Sequence, residues 1–451
     1  MGLERSIAER VAAMRGQDID SSLLHILKRN ILDSYAGICG SLNDRAMLEH
    51  FDRFAADAES ATVSVWGIGR RAGLAEAVFT NSVLGRRSDL LNTYLAPNSM
   101  GGSHPSDNLA LVLTLADHLG MSGRELISTV HVAFTLSAAF ATYYDPESAG
   151  YDHDAAATFY TALTIGYAFD LSVPELVTAQ RVAGMLGLDT NQAALGKMTD
   201  WKHCTYASAA MRAIQAVKIA RAGFDAPPDI YEGAAGVDRF FRHADTFFEP
   251  APDLERIVFK RWPALVFCQT PIDVASDLAA AGIDPHAVTA IEVRSYAIAM
   301  RNGATEGAYQ PESRAARTHS IPYCVATALL KPIEYTDFDD PRSRDDTVRA
   351  LMTKVSVIED PALSAAYPAT APCEISVMFA DGSTVTRRRD VPRGDPGDPL
   401  SDDDLSAKLR TYFGFARDDA EREDVIRRLW HLEHEPDVEW LLEPLRRRQL
   451  P

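Results

Sequence analysis

The sequence predicts a mainly α-helical protein, with a large all-helical domain and a smaller α+β unit in its second half. Two observations predict this fold. Apolar residues recur at spacings of three and four through most of the chain, and sustained alternation of period two is confined to about residues 270–395. A chain of 451 residues with 46% hydrophobic content can bury a large core, and its length suggests two or three domains.

The first clear amphipathic helix is predicted at residues 20–35. Asp20 and the two serines after it offer an N-cap, and Gly37 and Gly40 offer a stop. The same apolar spacing predicts helices, many rich in small residues, at about 72–85, 107–119, 122–141, 155–170, 174–188 and 205–221. Because helices with small side chains can approach one another closely, this half of the chain is predicted to be a compact helical bundle.

The smaller unit is predicted from strands. Alternating residues predict strands at 288–296, 354–358, 373–379 and 384–388, and an Asp381–Gly382 turn joins the last two in a hairpin. Helical patterns at 320–330 and 345–352 lie between the first two strands. After a proline- and glycine-rich linker, helices are predicted at about 402–413, 419–431 and 437–447. We therefore divide the chain into a helical domain (1–268), an α+β domain (269–395) and C-terminal helices (396–451) that return to the helical domain.

Charge and composition limit the possible partners. Forty-five basic and sixty-three acidic residues give a formal charge of −18, which opposes binding to nucleic acid or to an anionic membrane. A small anionic substrate would therefore need a locally basic or hydrogen-bond-rich pocket. We find no secretion signal and no window long and apolar enough to span a bilayer, so we expect a cytoplasmic enzyme. The five scattered cysteines form no Cys-x-x-Cys pair, which argues against zinc and against a disulfide framework.

The candidate site centres on the polar segment 89–108, which lies between two apolar helical patterns. Loops on a rigid scaffold commonly carry binding and catalysis. His104 precedes Pro105, which disfavours helix at the histidine, and Ser106 and Asp107 are common N-cap residues at the start of the next helix. Free N–H groups at a helix start attract a carboxylate, so an anionic substrate could be held there. The alternative is that Ser106 and Asp107 only cap the helix and that His104 hydrogen-bonds within the loop.

Three further positions carry charged groups near helix starts. His153 lies between Asp152 and Asp154, which favour its charged form and would suit an acid or a substrate clamp. Lys202 lies among aromatic and small residues at the head of an apolar helix, where it could neutralise a carboxylate or act as a base. Lys260 could likewise neutralise a carboxylate or act as a base. The alternatives are a surface N-cap cluster around His153 and surface lysines whose stems pack on apolar neighbours.

The segment 318–323 brings an imidazole, His319, and a phenol, Tyr323, to one end of a predicted helix. A tyrosine can donate a proton or orient a substrate oxygen, but it could equally be buried at a domain contact. Two other patterns are discounted: the glycines of 67–73 do not fit the dinucleotide fingerprint, and the histidines of 431–434 lie among charged residues near a terminus. No Gly-x-Ser-x-Gly, P-loop or cysteine-nucleophile motif occurs, so hydrolase and kinase functions have no support.

Two short motifs resemble the signature of a known family. Gly102-Ser-His-Pro-Ser-Asp-Asn108, after Asp89-Leu-Leu-Asn-Thr93, is similar to the MmgE/PrpD family, which includes 2-methylcitrate dehydratase, cis-aconitate decarboxylase and iminodisuccinate epimerase. Further similar segments follow in the same order at 152–153, 201–202, 260–264, 319–323, 394–396 and 399–400, so the resemblance covers nearly the whole chain. It implies a large helical domain with a smaller α+β lid, a homodimer, and no metal or other cofactor.

By matching motifs, the resemblance implies a pocket between the two domains, with a polar lining of Asp89, Thr93, His104, His153, Lys202, Lys260 and Tyr323. The implied chemistry is lyase-type work on a small polycarboxylate. This needs a base at the C–H, an acid at the hydroxyl, and cations or N–H groups on the carboxylates. We expect His104 and Asp89 to manage proton transfer. The carboxylates are expected to be held by Lys202, Lys260, His153 and the helix start at Ser106, with His319 also at the substrate and Tyr323 closing from the lid.

Two residues depart from the pattern that the resemblance leads us to expect. Dehydratases often carry a second acid just before the threonine, where this chain has Asn92, and a histidine where it has Leu265. The sequence of 102–108 still resembles the methylcitrate dehydratases more than the decarboxylases. We therefore rank dehydration first, decarboxylation of cis-aconitate second and epimerisation third. The alternative to an enzyme is a non-catalytic helical scaffold protein. Clustering of the polar candidates in one cleft would favour the enzyme.

Overall fold

The computed structural model describes residues 2–56, 61–97, 102–194, 198–241, 244–339 and 346–449, and it confirms a mainly α-helical fold with a smaller α+β part. The helices of the first part are α1 (Leu3–Ala13), α2 (Ser21–Ser41), α3 (Arg45–Phe54), α4 (Leu74–Arg87), α5 (Asp107–Leu119), α6 (Gly123–Tyr143), α7 (Ala157–Ala168), α8 (Val173–Met185), α9 (Thr205–Arg221) and α10 (Asp238–Phe241). The predicted bounds of α5 and α9 are confirmed at both ends. Helix α9 packs against α4, α7 and α8.

Local signals explain where these helices begin and end. Helix α6 begins with a capping box in which Ser122 and Glu125 satisfy each other's backbone N–H groups. Helix α5 ends at Gly120, whose φ of +68° suits the left-handed conformation that closes a helix.

Helix α2 is longer than predicted, because it continues through both glycines that we took as stops. A Cβ at Gly40 would lie 3.1 Å from the ring of Tyr412, and one at Gly37 would lie 3.3 Å from the hydroxyl of Ser88. The glycines therefore permit close packing rather than ending the helix.

Short strands organise the polar segment. Strands β1 (Val63–Val65) and β2 (Arg70–Ala72) form a hairpin, while β3 (Thr93–Leu95) lies between β4 (Gly102–Ser103) and β5 (Ile257–Val258), antiparallel to both. This small sheet was not predicted, because strands of two or three residues leave no periodic signal. A Cβ at Gly102 would lie 2.3 Å from the carbonyl oxygen of Tyr94, so the pairing needs glycine there. Residues 98–101 of the predicted segment lie outside the described residues.

The α+β part contains a four-stranded sheet in the order β7-β6-β8-β9, formed by β6 (Val288–Ser295), β7 (Val355–Glu359), β8 (Cys373–Phe379) and β9 (Thr384–Arg389). Strand β7 is parallel to β6 and the other pairs are antiparallel, which confirms the predicted strands and the final hairpin. The accompanying helices are α11 (Val266–Ala280), α12 (Ala297–Gly303), α13 (Arg314–Thr318), α14 (Ile321–Leu330), α15 (Asp346–Met352) and α16 (Pro361–Ala366).

The chain ends with α17 (Asp402–Tyr412), α18 (Asp419–Leu429) and α19 (Glu439–Arg446). Among the residues that the structure describes, the buried apolar side chains form two clusters. One contains residues 7–259 together with 400–445, and the other contains residues 264–377. The C-terminal helices share the first cluster with α2, and the Tyr35 hydroxyl donates to the carbonyl of Leu441 at 2.9 Å. The division of the chain at 268 and 395 stays a prediction.

Helix α6 corrects one expectation. By length and composition it is long and apolar enough to cross a membrane, whereas the sequence was expected to contain no such window. However, 78% of the relevant window is buried inside the protein. Core helices pass the same test, and α6 packs against α5 and α7, so we interpret it as a core helix.

The contact between α6 and the C-terminal region gives a prediction. A Cβ at Gly123 would lie 1.8 Å from the carbonyl oxygen of Leu432, so Gly123→Ala must separate the two segments. We expect a loss of about 2 kcal/mol or more in the free energy of unfolding, measured by urea denaturation. Gly414→Ala is the control, because no heavy atom lies within 4 Å of its added Cβ. Equal stability of the two variants would contradict the contact.

Candidate active site

A cavity of about 80 Å³ lies between the two parts of the molecule. The helical part contributes Thr93, Leu95, Gly102, His104, Glu147, His153, Ala194, Met198 and Lys202, and the α+β part contributes Leu265, Val266, Phe267, Ile298, Asn302 and His319. A wider space of about 550 Å³ adjoins it and shares Ala194, Met198, Asn302 and His319 with it. Of the nine predicted site residues, the structure brings Thr93, His104, His153, Lys202 and His319 to this cavity.

His104 is held as a neutral imidazole. Its Nδ1 lies 3.2 Å from the carbonyl oxygen of Asn92 and 3.1 Å from the hydroxyl of Thr93. A carbonyl can only accept, so Nδ1 carries the proton and Nε2 keeps a free lone pair. Burial lowers the pKa of His104 well below its ordinary value, and the positive charges of Lys260 and Arg86 lower it further. A neutral imidazole with a free Nε2 can act as a general base.

His319, contributed by the α+β part, is held at the cavity in the same way as His104. Its Nδ1 lies 2.8 Å from the carbonyl oxygen of Ala315, which again leaves Nε2 unprotonated. Burial lowers the pKa of His319 to about 4, although the nearby carboxylate of Asp89 acts in the opposite direction. The cavity therefore contains a second uncharged imidazole, contributed by the α+β part.

Asp89 and Lys260 form a buried ion pair instead of lining the cavity. The Lys260 ammonium lies 2.9 Å from Asp89 Oδ1 and 3.2 Å from the Asp89 carbonyl oxygen, and the lysine side chain has no exposed surface. Burial works against the charge on Asp89, but Lys260 and His319 outweigh it and hold its pKa well below the usual range. A carboxylate this acidic is a poor base. The structure therefore does not favour the predicted proton-transfer role of Asp89 or direct substrate binding by Lys260.

His153 stands edge-on to His104, with ring centroids 5.3 Å apart. Its Nδ1 lies 3.2 Å from Asp152 Oδ1, and its Nε2 lies 2.9 Å from Nη2 of Arg86. Burial lowers the pKa of His153, but the carboxylates of Asp154 and Asp152 outweigh burial and raise it. A guanidinium cannot accept a hydrogen bond, however, so the contact with Arg86 requires Nε2 to be unprotonated. We therefore assign His153 the neutral form with its proton on Nδ1.

Lys202 supplies the positive charge of the cavity. Its ammonium lies 2.7 Å from Asp152 Oδ2, and Asp152 is fully buried. The local cause is a short 3-10 helix, 200–204, that leads into α9 and turns Lys202 inward. Lysine ammonium groups bind carboxylates through charge-assisted hydrogen bonds. Because the ammonium has three N–H groups, Lys202 can bind Asp152 and an anionic ligand at the same time.

The start of α5 does not offer the predicted anion site. The backbone N–H of Ser106 donates to Asn92 Oδ1 at 3.0 Å, and the Ser106 hydroxyl lies 3.3 Å from the Asn92 carbonyl. Ser106 occupies the predicted N-cap position, but it is buried and its side chain makes no capping hydrogen bond to the helix. Asn92 donates in turn to Asn30 Oδ1 at 2.9 Å. An aspartate at position 92 could not make that donation, which explains the amide there.

Tyr323 is not at the cavity. Its hydroxyl donates to the carbonyl oxygen of Asp337, and its ring packs against Phe338 inside the α+β part. The tyrosine is buried in the second apolar cluster. The structure therefore corrects the expectation that Tyr323 closes over a ligand, because its polar atom already has a partner in its own domain.

Sequence reasoning missed several residues of the cavity. Glu147 lines it, 3.8 Å from His153 Nδ1 and 3.0 Å from Arg301 at the outer side. An apolar wall is formed by Leu265, Val266, Phe267 and Ile298. Leu265 had been noted only as a departure from the family pattern, and the other residues gave no signal, because acids and apolar residues of these types occur throughout the chain. Arg86 was also missed, because it lies just beyond the predicted helix 72–85, where an arginine is ordinarily read as a solvated helix end.

The group most suited to a metal ion within the described ranges is Asp152, His153 and Asp154, whose ligand atoms lie within 4.8 Å of one another. Lys202 and Arg86 already pair with the two carboxylates. We therefore assign these three residues to the ion-pair network and not to a metal site.

The buried imidazole of His319 predicts a dependence of stability on pH. The folded-state pKa of about 4 lies below the ordinary value of 6.5, so the stabilisation is present above pH 6.5 and is lost as the pH falls towards 4. The total is on the order of 3 kcal/mol. In urea denaturation, His319→Gln should therefore lose less stability than the wild type between pH 7 and pH 4.5. His286→Gln, at an exposed histidine, should follow the wild type. Parallel curves for all three proteins would contradict the assignment.

Comparison with known proteins agrees with the resemblance. The family model of the MmgE/PrpD N-terminal domain matches residues 5–249, and that of the C-terminal domain matches residues 262–432. A 2-methylcitrate dehydratase of Cupriavidus necator is 26% identical over 345 residues, which is 69% of this chain and 68% of that protein. A 2-methylcitrate dehydratase of Escherichia coli is 24% identical over 65% of this chain and 64% of its own length. A human cis-aconitate decarboxylase is 25% identical over 47% of this chain and 46% of its own length. Since the two family models together cover most of the sequence, the chain belongs to the MmgE/PrpD family.

Proposed function

We propose that this chain is a lyase that acts on a small polycarboxylate, with loss of water from a 2-methylcitrate-like hydroxy acid as the first-ranked reaction. The observation that carries the proposal is that two uncharged imidazoles, His104 and His319, line the same cavity as the Lys202 ammonium. Such a set can take a proton from carbon while holding a carboxylate. The names of the relatives, 2-methylcitrate dehydratase and cis-aconitate decarboxylase, belong to the same range of substrates.

In the proposed reaction, Nε2 of His104 removes a proton from the carbon next to a carboxylate. The lone pair is available because Nδ1 is fixed as the donor to the Asn92 carbonyl. Lys202 holds the neighbouring carboxylate and stabilises the charge that develops on it. The proton that His104 Nε2 has taken then passes to the substrate hydroxyl, which leaves as water, and His319, with an unprotonated Nε2 at the same cavity, accepts a hydrogen bond from that hydroxyl before it leaves. Asp89 acts indirectly, by keeping the Lys260 charge paired.

The apolar wall supports a substrate with an alkyl group. Leu265, Val266 and Phe267 begin α11 and face the same space as Ile298. A methyl group against such a wall loses water contact and gains packing, whereas a hydroxyl or carboxylate would lose its hydration without a partner. This favours 2-methylcitrate over citrate.

Decarboxylation of a cis-aconitate-like acid is the second candidate, and epimerisation of an iminodisuccinate-like acid is the third. The Lys202 ammonium can protonate the carbanion that remains after loss of CO₂, and Leu265 gives the departing carboxylate an apolar neighbour. A non-catalytic scaffold is less favoured, because a scaffold has no need of this set of polar groups in one cavity. We also propose a homodimer, which rests on the resemblance, and a cytoplasmic location, which rests on the sequence; light scattering after size-exclusion chromatography tests the dimer.

The first test removes the proposed base. His104→Gln should lower turnover of 2-methylcitrate by at least about 100-fold while leaving the circular dichroism spectrum unchanged, because proton transfer by a placed side chain contributes 10²–10⁴-fold. The assay follows alkene absorbance and CO₂ release with 2-methylcitrate, citrate, cis-aconitate and iminodisuccinate. His286→Gln, at an exposed position outside the cavity, is the matched control and should be as active as the wild type. Near-wild-type turnover by His104→Gln would refute its role.

The second test concerns the apolar wall. Leu265→Asn keeps the branching at Cγ but places an amide against the substrate, so the ratio of kcat/KM for 2-methylcitrate to that for citrate should fall by about 10-fold. Leu330→Asn makes the same change at a half-buried leucine outside the cavity lining. An unchanged ratio in Leu265→Asn would show that the wall does not contact the alkyl group.

A further inference from the structure

Two consecutive arginines end α4, and both are buried, with 4% of Arg86 and 6% of Arg87 exposed. They point to different neighbours. Arg87 pairs with Asp44 and Asp200 and lies 3.1 Å from Nδ1 of His203, which is not among the residues lining the cavity. Arg86 makes the equivalent contact with His153, which does line it. One arginine thus contacts a histidine of the site, and its neighbour in sequence contacts a histidine outside it.

Arg86 is fixed on several sides. Nη1 donates to the carboxylate of Asp154 and, at 2.9 Å, to the hydroxyl of Thr205. Nη2 lies 3.3 Å from Asp107 Oδ2 and 2.9 Å from His153 Nε2. These contacts come from α5, α9 and the turn before α7, so the guanidinium has little freedom to move. Because it carries only N–H groups, His153 Nε2 must accept.

The other edge of the His153 ring continues the chain of contacts. Nδ1 carries the single proton and lies 3.2 Å from Asp152 Oδ1, and the second oxygen of Asp152 accepts from the Lys202 ammonium at 2.7 Å. The connected series runs from Arg86 through His153 and Asp152 to Lys202. Its first member is not among the lining residues but contacts one of them, and its last member, Lys202, lines the cavity.

We propose that Arg86 is a positioning residue, which holds His153 as the neutral tautomer with its proton on Nδ1 and, through Asp152, places the Lys202 ammonium at the cavity. The tautomer follows from the contacts and does not depend on the proposed function. Its effect on turnover rests on the proposed lyase activity.

Charge around the ring makes this role necessary. The ionisable groups that face His153 are Asp152, Asp154, Glu147, Arg86, Lys202 and His104. Burial lowers the pKa of His153, but the carboxylates of Asp154 and Asp152 outweigh burial and raise it. Loss of the donor at Nε2 would therefore favour the doubly protonated form of the ring. Asp152 would then face a cation on each side, and its hold on Lys202 would weaken.

Nuclear magnetic resonance of protein labelled with ¹⁵N-histidine tests the proposal directly, because long-range ¹H–¹⁵N spectra distinguish a protonated from an unprotonated ring nitrogen. The His153 signals are assigned by their loss in His153→Asn. At pH 7 the wild type should show an unprotonated Nε2 and a protonated Nδ1. A doubly protonated His153, or a proton on Nε2, would overturn the proposal, whether or not any substrate is turned over.

Variants test the cause. Arg86→Gln alone leaves the carboxylates of Asp107 and Asp154 without their cation and can fail to fold, so the informative protein is Arg86→Gln with Asp107→Asn, which removes one charge of each sign. In this double variant His153 should become doubly protonated at pH 7. An unchanged His153 spectrum would overturn the proposal.

Arg87→Gln is the matched control. It removes a buried arginine that contacts a histidine outside the cavity, and it should alter the His203 signals and leave those of His153 unchanged. A change at His153 in this control, of the same size as in the double variant, would also count against a specific role of Arg86.

The effect on catalysis is a separate measurement. If the lyase activity holds, the double variant should raise KM for the polycarboxylate at least about 10-fold, and its pH–rate profile should gain an ionisation that the wild type lacks. Unchanged KM and pH profile in an active double variant would refute the link to Lys202. If none of the proteins dehydrates or decarboxylates a polycarboxylate, the proposed function fails, while the tautomer assignment is still decided by the spectra.

Discussion

The buried ion pair between Asp89 and Lys260 is the constraint on which the rest of the structure depends. Both residues are nearly or wholly inaccessible, and Lys260 also donates to the Asp89 backbone. An unpaired charge at such a depth would cost several kcal/mol, so the segment before the polar loop and the segment leading into the α+β part must stay together. A second pair, Lys408 with Asp33, extends the connection, since Lys408 also donates to the Lys260 carbonyl at 2.8 Å. Helices α2 and α17 are thereby tied to the same point.

This constraint sets the chemistry of the cavity. The cations needed to balance buried carboxylates lie close behind the imidazoles of His104 and His319, so burial and positive charge together keep both rings neutral. A separate network of Arg86, Asp107, Asp154, His153, Asp152 and Lys202 lies on the other side and brings one ammonium group to the surface of the cavity. Free lone pairs and a positive charge are therefore available at the same place without neutralising each other.

The polar and the apolar walls of the cavity come largely from different parts of the molecule. The helical part contributes most of the polar groups, and the start of α11 with Ile298 contributes the apolar wall. A ligand in the cavity would therefore contact both parts of the molecule. The site is therefore sensitive to the domain contact as well as to its own side chains.

The sequence by itself determined the fold class, the bounds of most long helices and strands, and five of the residues that line the cavity, because periodicity, capping and short motifs are local properties. Only the tertiary structure decided the rest. It showed that the Ser106 N–H donates to Asn92 and that the Tyr323 hydroxyl donates to the Asp337 carbonyl. It also showed that Asp89 and Lys260 form an ion pair outside the cavity lining. It also revealed Arg86, Glu147 and the apolar wall. The reason is that a polar side chain acts through whichever partner it meets, and these partners lie far apart in sequence; Asp89 and Lys260 are 171 residues apart.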